Sequence, residues 1–214
     1  MDDAICLKNN IPDTTMRNVV VTNCVIRTRC AAFKTGECYG PMRQITFSNS
    51  VVYESSRAVA LYSFNGTVLE DVTISNIVCD TRSPLMMNRP IHVDLRQQDG
   101  SPLGAIRNVS ISNVVVRTDG RVLLTAQPGA MLENITLRDI HLIYPTVDDP
   151  CPIGSGVGGG QFSNANPEAR IARAAVVAQN VAGLAIDGLD VTWPDPGAPC
   201  PEEWRFALKA ANGS

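Results

Sequence analysis

The sequence predicts an all-β solenoid, a stack of short coils none of which could bury its apolar face alone. Three observations predict it. A strand-like segment recurs at a near-constant interval, each copy alternates apolar residues with Thr, Ser or Asn, and a second short apolar run follows each copy after a polar break.

The recurring segments read RNVVVTNCVI from Arg17, RQITFSNSVV from Arg43, EDVTISNIVC from Glu70, RNVSISNVVV from Arg107 and ENITLRDIHL from Glu133, with a worn copy, AGLAIDGLDV, from Ala182. Their starts lie 26, 27, 37, 26 and 49 residues apart. The unit is therefore about 26 residues, and the two longer intervals hold insertions or, in the last case, a second unit. Alternation with a period of two is the mark of a strand with one buried face. The second runs are AAFKT, AVALY, PIHVD, VLLTA and AAVVA. Helical periodicity is almost absent, so each unit reads as two or three strands that must stack on their neighbours.

An Asn or Asp recurs at one place in five copies: Asn23, Asn49, Asn76, Asn113 and Asp139. Asn tolerates left-handed backbone and bonds its own turn, which predicts a ladder of such residues along one corner. Four Asn-X-Ser/Thr sequons, at Asn65, Asn108, Asn134 and Asn212, are by-products of this composition, and no glycosylation is inferred from them.

With 214 residues, 44% apolar and 18% charged, the chain reads as one domain over 1–214. A net charge of −3 without a basic cluster excludes the usual nucleic-acid footprint. No run of apolar residues is long enough to span a membrane, so neither nucleic acid nor membrane is expected as a partner. The stretch at about 145–170 is rich in Gly, Pro, Asn and Ser and predicts a projecting loop; its glycines lack the spacing of a phosphate-binding loop. Seven cysteines form no CxxC pair. No zinc site, other metal or cofactor is expected; Cys6 and Cys24 read as small core hydrophobes, while Cys151 and Cys200 could bridge.

The segments DDAICLK, NVVVTNCVIRTRCAAFKTGE and RQITFSNSVVYESSRAVALYSFNGTVLEDVTISNI resemble the central and later coils of the polygalacturonase family, glycoside hydrolase family 28. The resemblance covers residues 2–143 well and 172–193 more faintly. It implies a right-handed parallel β-helix, a secreted or periplasmic protein, and a pectic polysaccharide as substrate. The family also carries an upstream coil with Asn-Thr-Asp and a further catalytic aspartate, which this sequence lacks. The sequence thus reads as a piece beginning in mid-solenoid and stopping early, with weak or no activity expected of these 214 residues alone and self-association expected through exposed solenoid ends.

By the same resemblance Asp2 is the general acid and Asp3 one of the carboxylates that activate water for inverting hydrolysis. Adjacent strand residues face opposite sides, so both can serve only if the backbone bends there. Other family positions have changed. Ala31 stands where many members carry the His of Gly-His-Gly, and Ala60-Leu61-Tyr62 replaces Arg-Ile-Lys. Aligning Arg29, Arg57 and Arg89 puts Ala32, Ala60 and His92 in one outward column and Lys34, Tyr62 and Asp94 in the next. On that alignment Lys34 supplies the cation for the substrate, Tyr62 a stacking or hydrogen-bonding surface, and His92 or Asp94 a polar contact. Arg57, Arg89, Arg121 and Arg173 read as a structural or solubilising ladder. Two other functions compete. One is a non-catalytic glycan-binding or structural β-helix; the other is a lyase, which would favour a calcium site built from more carboxylates than Asp2 and Asp3 offer.

Overall fold

The computed structural model describes residues 2–83, 88–98, 100–147, 174–195 and 206–212. The described residues form strands and turns, with no helix among them. One parallel sheet holds β1 (Ile5–Leu7), β4 (Ala31–Thr35), β6 (Arg57–Ser63), β8 (Ile91–Leu95), β10 (Val122–Ala126), β12 (Val176–Gln179) and β14 (Leu208–Ala211), in that order. The other holds β2 (Met16–Thr22), β5 (Met42–Tyr53), β7 (Val68–Thr81), β9 (Ala105–Thr118), β11 (Leu132–Ile143) and β13 (Val181–Thr192), with β3 (Val25–Arg27) also paired to β5. The chain passes from one sheet to the other and back, and each strand pairs in parallel with its predecessor in the same sheet. Two parallel sheets laid out this way are consistent with a β-helix-like solenoid.

The recurring segments of the sequence form the second sheet and the short apolar runs form the first. Alternation decides which side chains meet. Phe33, Val59, Leu61, Ile91, Val93 and Leu124 of the first sheet join Phe47, Ile74, Ile111 and Leu137 of the second in one apolar cluster. Phe33 stacks on Phe47 across it, with ring centroids 4.9 Å apart. Fully burying each aliphatic or aromatic side chain of this cluster contributes about 1.5–3 kcal/mol, which is why a sheet face with no partner would not stand alone.

The predicted corner ladder is present. Asn23, Asn49, Asn76, Asn113 and Asp139 all have φ between 49° and 57°. Asn76 Nδ2 donates to Asn49 Oδ1 at 2.9 Å, and Asn113 Nδ2 to Asn76 Oδ1 at 2.7 Å. A second ladder stands five residues earlier in each copy, at Asn18, Gln44, Asp71, Asn108 and Asn134, again with positive φ. Gly183 and Gly188 take the corresponding places in the worn copy. Each long strand of the second sheet is thus bent twice.

Several expectations need correction. Cys6 is exposed, not packed as a small core hydrophobe, because Ile5 and Leu7 take the inward positions of the edge strand β1. Cys24 does pack against the core. Arg57, Arg89 and Arg121 are buried, so their ladder solubilises nothing. The loop at about 145–170 from residue 148 onward, Cys151, Cys200 and Arg173 lie outside the described residues. No helix among the described residues is long and apolar enough to cross a membrane.

Candidate active site

Asp2 and Asp3 precede β1 at the edge of the first sheet, where the chain bends at Ala4. The bend satisfies the condition set by their adjacency. The Asp3 amide donates to Asp2 Oδ1 at 2.8 Å, and the two carboxylates approach each other and the Cys30 thiol to within 4.8 Å. The chain is held there from the neighbouring turn: Thr28 Oγ1 donates to the Asp2 carbonyl at 2.6 Å, and the Ala4 amide to the Ala31 carbonyl at 2.9 Å.

The two aspartates differ in their surroundings. Asp3 is half-buried; its Oδ1 accepts from the Ala31 amide at 2.9 Å, so the side chain continues the strand ladder where the backbone has turned away. Its Oδ2 accepts from Lys34 Nζ at 2.9 Å. Asp2 is exposed. Ala31 therefore contributes its backbone to the carboxylate pair.

Lys34 Nζ also lies 2.9 Å from Glu37 Oε2, and Lys8 Nζ approaches the same oxygen at 3.6 Å. The Lys34 side chain is only 6% exposed. Burial pulls its pKa down, but hydrogen bonds to Glu37 and Asp3 outweigh this and hold the ammonium above the usual lysine value. Glu37 follows Gly36 at the end of β4, and both residues have positive φ, 92° for Gly36 and 52° for Glu37. This double left-handed turn aims the Glu37 carboxylate back over Lys34. In the sequence the one signal for Glu37 is the Gly-Glu pair directly after a strand.

The other candidates stand on the same outward side of the first sheet; Tyr62, His92 and Asp94 take the expected register and Lys34 does not. Lys34 pairs with Ala60 and Ala60 with His92, while Tyr62 pairs with Asp94 and Asp94 with Thr125. Arg57 pairs with Ala31, so aligning Arg29 with Arg57 and Arg89 misplaces Lys34 by two residues. Its ammonium still reaches to 5.8 Å from the centre of the Tyr62 ring.

These residues do not form an open cleft wall, because Lys34, Tyr62, His92 and Asp94 are each at most 5% exposed. Tyr62 Oη lies 2.9 Å from His92 Nδ1, with the rings edge to face, and Thr125 Oγ1 donates to Asp94 Oδ1 at 3.2 Å. Burial, reinforced by Arg89, Arg57 and Arg96, keeps the His92 pKa well below the ordinary value and the imidazole neutral. Burial, together with Arg57 and Arg121, pulls the Arg89 pKa down to about 9. Tyr62 is pushed up by burial, against the pull of Arg57 and Arg89.

Asp2, Asp3 and Cys30 are the one group of possible metal ligands among the described residues. The fit to a divalent cation is poor. Burial and the two aspartates push the Cys30 thiol up, which disfavours the thiolate, and the Lys34 ammonium already sits on Asp3.

A scan against protein-family models finds no match, and searches of curated proteins and of solved structures find none either.

Proposed function

We propose that the protein is a right-handed parallel β-helix that hydrolyses pectin-like or related acidic polysaccharide with inversion. One observation carries the reading: the bend before β1 brings two adjacent aspartates to one place, one anchored and one open. The exposed Asp2 protonates the departing glycosidic oxygen as the bond to the anomeric carbon breaks. The anchored Asp3 orients a water, whose oxygen bonds to that carbon and whose proton passes to a carboxylate. Inverting glycosidases ordinarily separate their carboxyls by about 6.5–9.5 Å. This pair is closer, within 4.8 Å, so the water stands beside the pair and not between its members. Held from two sides, Asp3 suits a fixed base better than a nucleophile that swings onto the sugar.

The test is hydrolysis of polygalacturonate and rhamnogalacturonan by the full-length gene product, with the anomer of the first product followed by NMR. Turnover that Asp2→Asn abolishes, releasing the inverted anomer, supports the reading. A retained anomer removes the stereochemical part of the reading. Absence of turnover overturns the enzymatic reading altogether.

A second reading, a glycan-binding or structural β-helix without catalysis, is favoured by the burial of Tyr62, His92 and Asp94, which offer a substrate little surface. Glycan binding without turnover would select it. Pairing of the exposed edge strand β14 with another chain is the route we propose for self-association.

A further inference from the structure

We infer that Glu37 and Lys34 form a positioning pair for the reacting carboxylates: Glu37 holds the Lys34 ammonium, and the ammonium holds Asp3. The inference rests on the glycosidase reading and assigns two residues roles within it. It replaces the substrate cation expected of Lys34 with an internal function.

Geometry comes first. Asp3 Oδ2 and Glu37 Oε2 each lie 2.9 Å from the same Lys34 nitrogen, so the two oxygens cannot be further apart than twice that distance. A lysine left to itself keeps its charged end in water, since its long side chain loses rotamer freedom and hydration when fixed and buried. Here the ammonium is withdrawn from solvent between two carboxylates. Fixing a lysine so firmly gives a defined point charge, which a solvated surface lysine does not provide.

The backbone is arranged to the same end. A left-handed residue other than glycine costs about 1–2 kcal/mol, and asparagine or aspartate normally occupies such positions. Glu37 adopts it directly after Gly36. Gly36 itself is pressed against the next strand: a Cβ there would stand 2.0 Å from the Tyr62 carbonyl oxygen. β6 therefore fixes the turn, the turn fixes Glu37, and Glu37 fixes Lys34. Lys8, with its ammonium 3.6 Å from Glu37, braces the far side.

The consequence lies in Asp3. The Ala31 amide and the Lys34 ammonium hold its two oxygens from different directions, leaving little rotation about its side-chain bonds. A carboxylate that must orient water in the transition state gains from this; misplacement of a reacting group by about 1 Å can cost a factor of 100 in rate. Because Lys34 faces the two carboxylates and not the sugar, its loss falls on kcat.

The experiment is a double-mutant cycle in the full-length gene product on its best pectic substrate, with Glu37→Gln, Lys34→Met and their combination, each checked by thermal melting. Expected is a fall in kcat of about 10- to 100-fold for each single variant, little change in KM, and a double variant no slower than Lys34→Met. Lys34→Arg, which keeps the charge, should recover part of kcat; should Lys34→Met not fold, Lys34→Arg and Glu37→Gln carry the cycle. A raised KM with unchanged kcat would overturn the inference by putting Lys34 on the substrate. Additive losses would overturn it by separating Glu37 from Lys34, and unchanged kinetics would overturn it outright. A wild-type protein without turnover overturns the glycosidase reading and this inference with it, whereas an active wild type with any of the preceding results overturns this inference alone.

Discussion

Tyr62 Oη lies 2.9 Å from His92 Nδ1, on neighbouring strands of the first sheet and with both side chains sealed from water. His92 Nε2 is buried without a hydrogen-bond partner among the described residues. Arg57 and Arg89 add positive potential to the same place. A positive charge on the imidazole is therefore costly, and the pair is maintained by the neutral ring.

Stability should follow. An unfolded histidine takes up its proton near pH 6.5, while the folded one resists until well below that. The unfolded state then binds more protons as pH falls, so stability is full above about pH 6.5 and declines from there towards the folded value. His92→Gln should flatten this part of the profile. Thermal melts of both proteins between pH 7.5 and 4.5, run as an interval of about three pH units, would show parallel curves if His92 plays no part.

The Lys34 ammonium gives the opposite dependence. Its folded pKa is raised, so the folded state keeps its proton when the unfolded chain has lost it. Stability from Asp3–Lys34–Glu37 is full below about pH 10.4, the ordinary lysine value, and is lost as pH rises through the raised one. Lys34→Met should remove that alkaline loss. Denaturant midpoints across the alkaline range check it, and an unaltered alkaline limb would count against the buried ion pairs.

Gly36 gives a steric prediction. Its φ is 92°, and an added Cβ would fall 2.0 Å from the Tyr62 oxygen and 2.6 Å from its carbonyl carbon, both backbone atoms that cannot swing aside. Gly36→Ala combines left-handed strain with overpacking and should cost roughly 2–4 kcal/mol. Gly129 is the control: its φ is also positive, 83°, but a Cβ there meets nothing within 4 Å. Gly129→Ala should lose only the strain, and equal losses at the two sites would remove the contact with Tyr62 from the account.

The repeat was legible because two local rules coincide in every copy. Alternation in RQITFSNSVV and its relatives sets which side chains enter the core, and the asparagine at each corner marks the left-handed bend. The second ladder was passed over because its members change type, from Asn18 to Gln44 to Asp71, so no single residue draws attention. Alternation also places Tyr62, His92 and Asp94 on one side correctly, but period two cannot say whether that side meets water. Lys34 was misplaced because the arginine alignment fixes its register from a turn, and turns vary in length where strands do not. The bend that joins Asp2 to Asp3, and the role of Glu37, depend on hydrogen bonds between neighbouring repeats, which the order of residues along one strand does not record.

Asn76 tests the corner ladder from its middle. It donates to Asn49 and accepts from Asn113, and its φ is 57°. Asn76→Ala loses both side-chain bonds and forces an alanine into the left-handed region, whereas Asn76→Gly loses the bonds alone. The backbone share for alanine is about 1–2 kcal/mol, and each exposed bond adds at most about 0.5–1.5 kcal/mol. Glycine should therefore be the milder change even though it removes more atoms, the reverse of the order expected in an ordinary strand, where glycine is the poorer residue. Chemical denaturation of both variants decides the matter: alanine more stable than glycine would mean that the corner relaxes when its side chain is gone, and that the ladder's hydrogen bonds, not the intrinsic preference of asparagine, hold the bend.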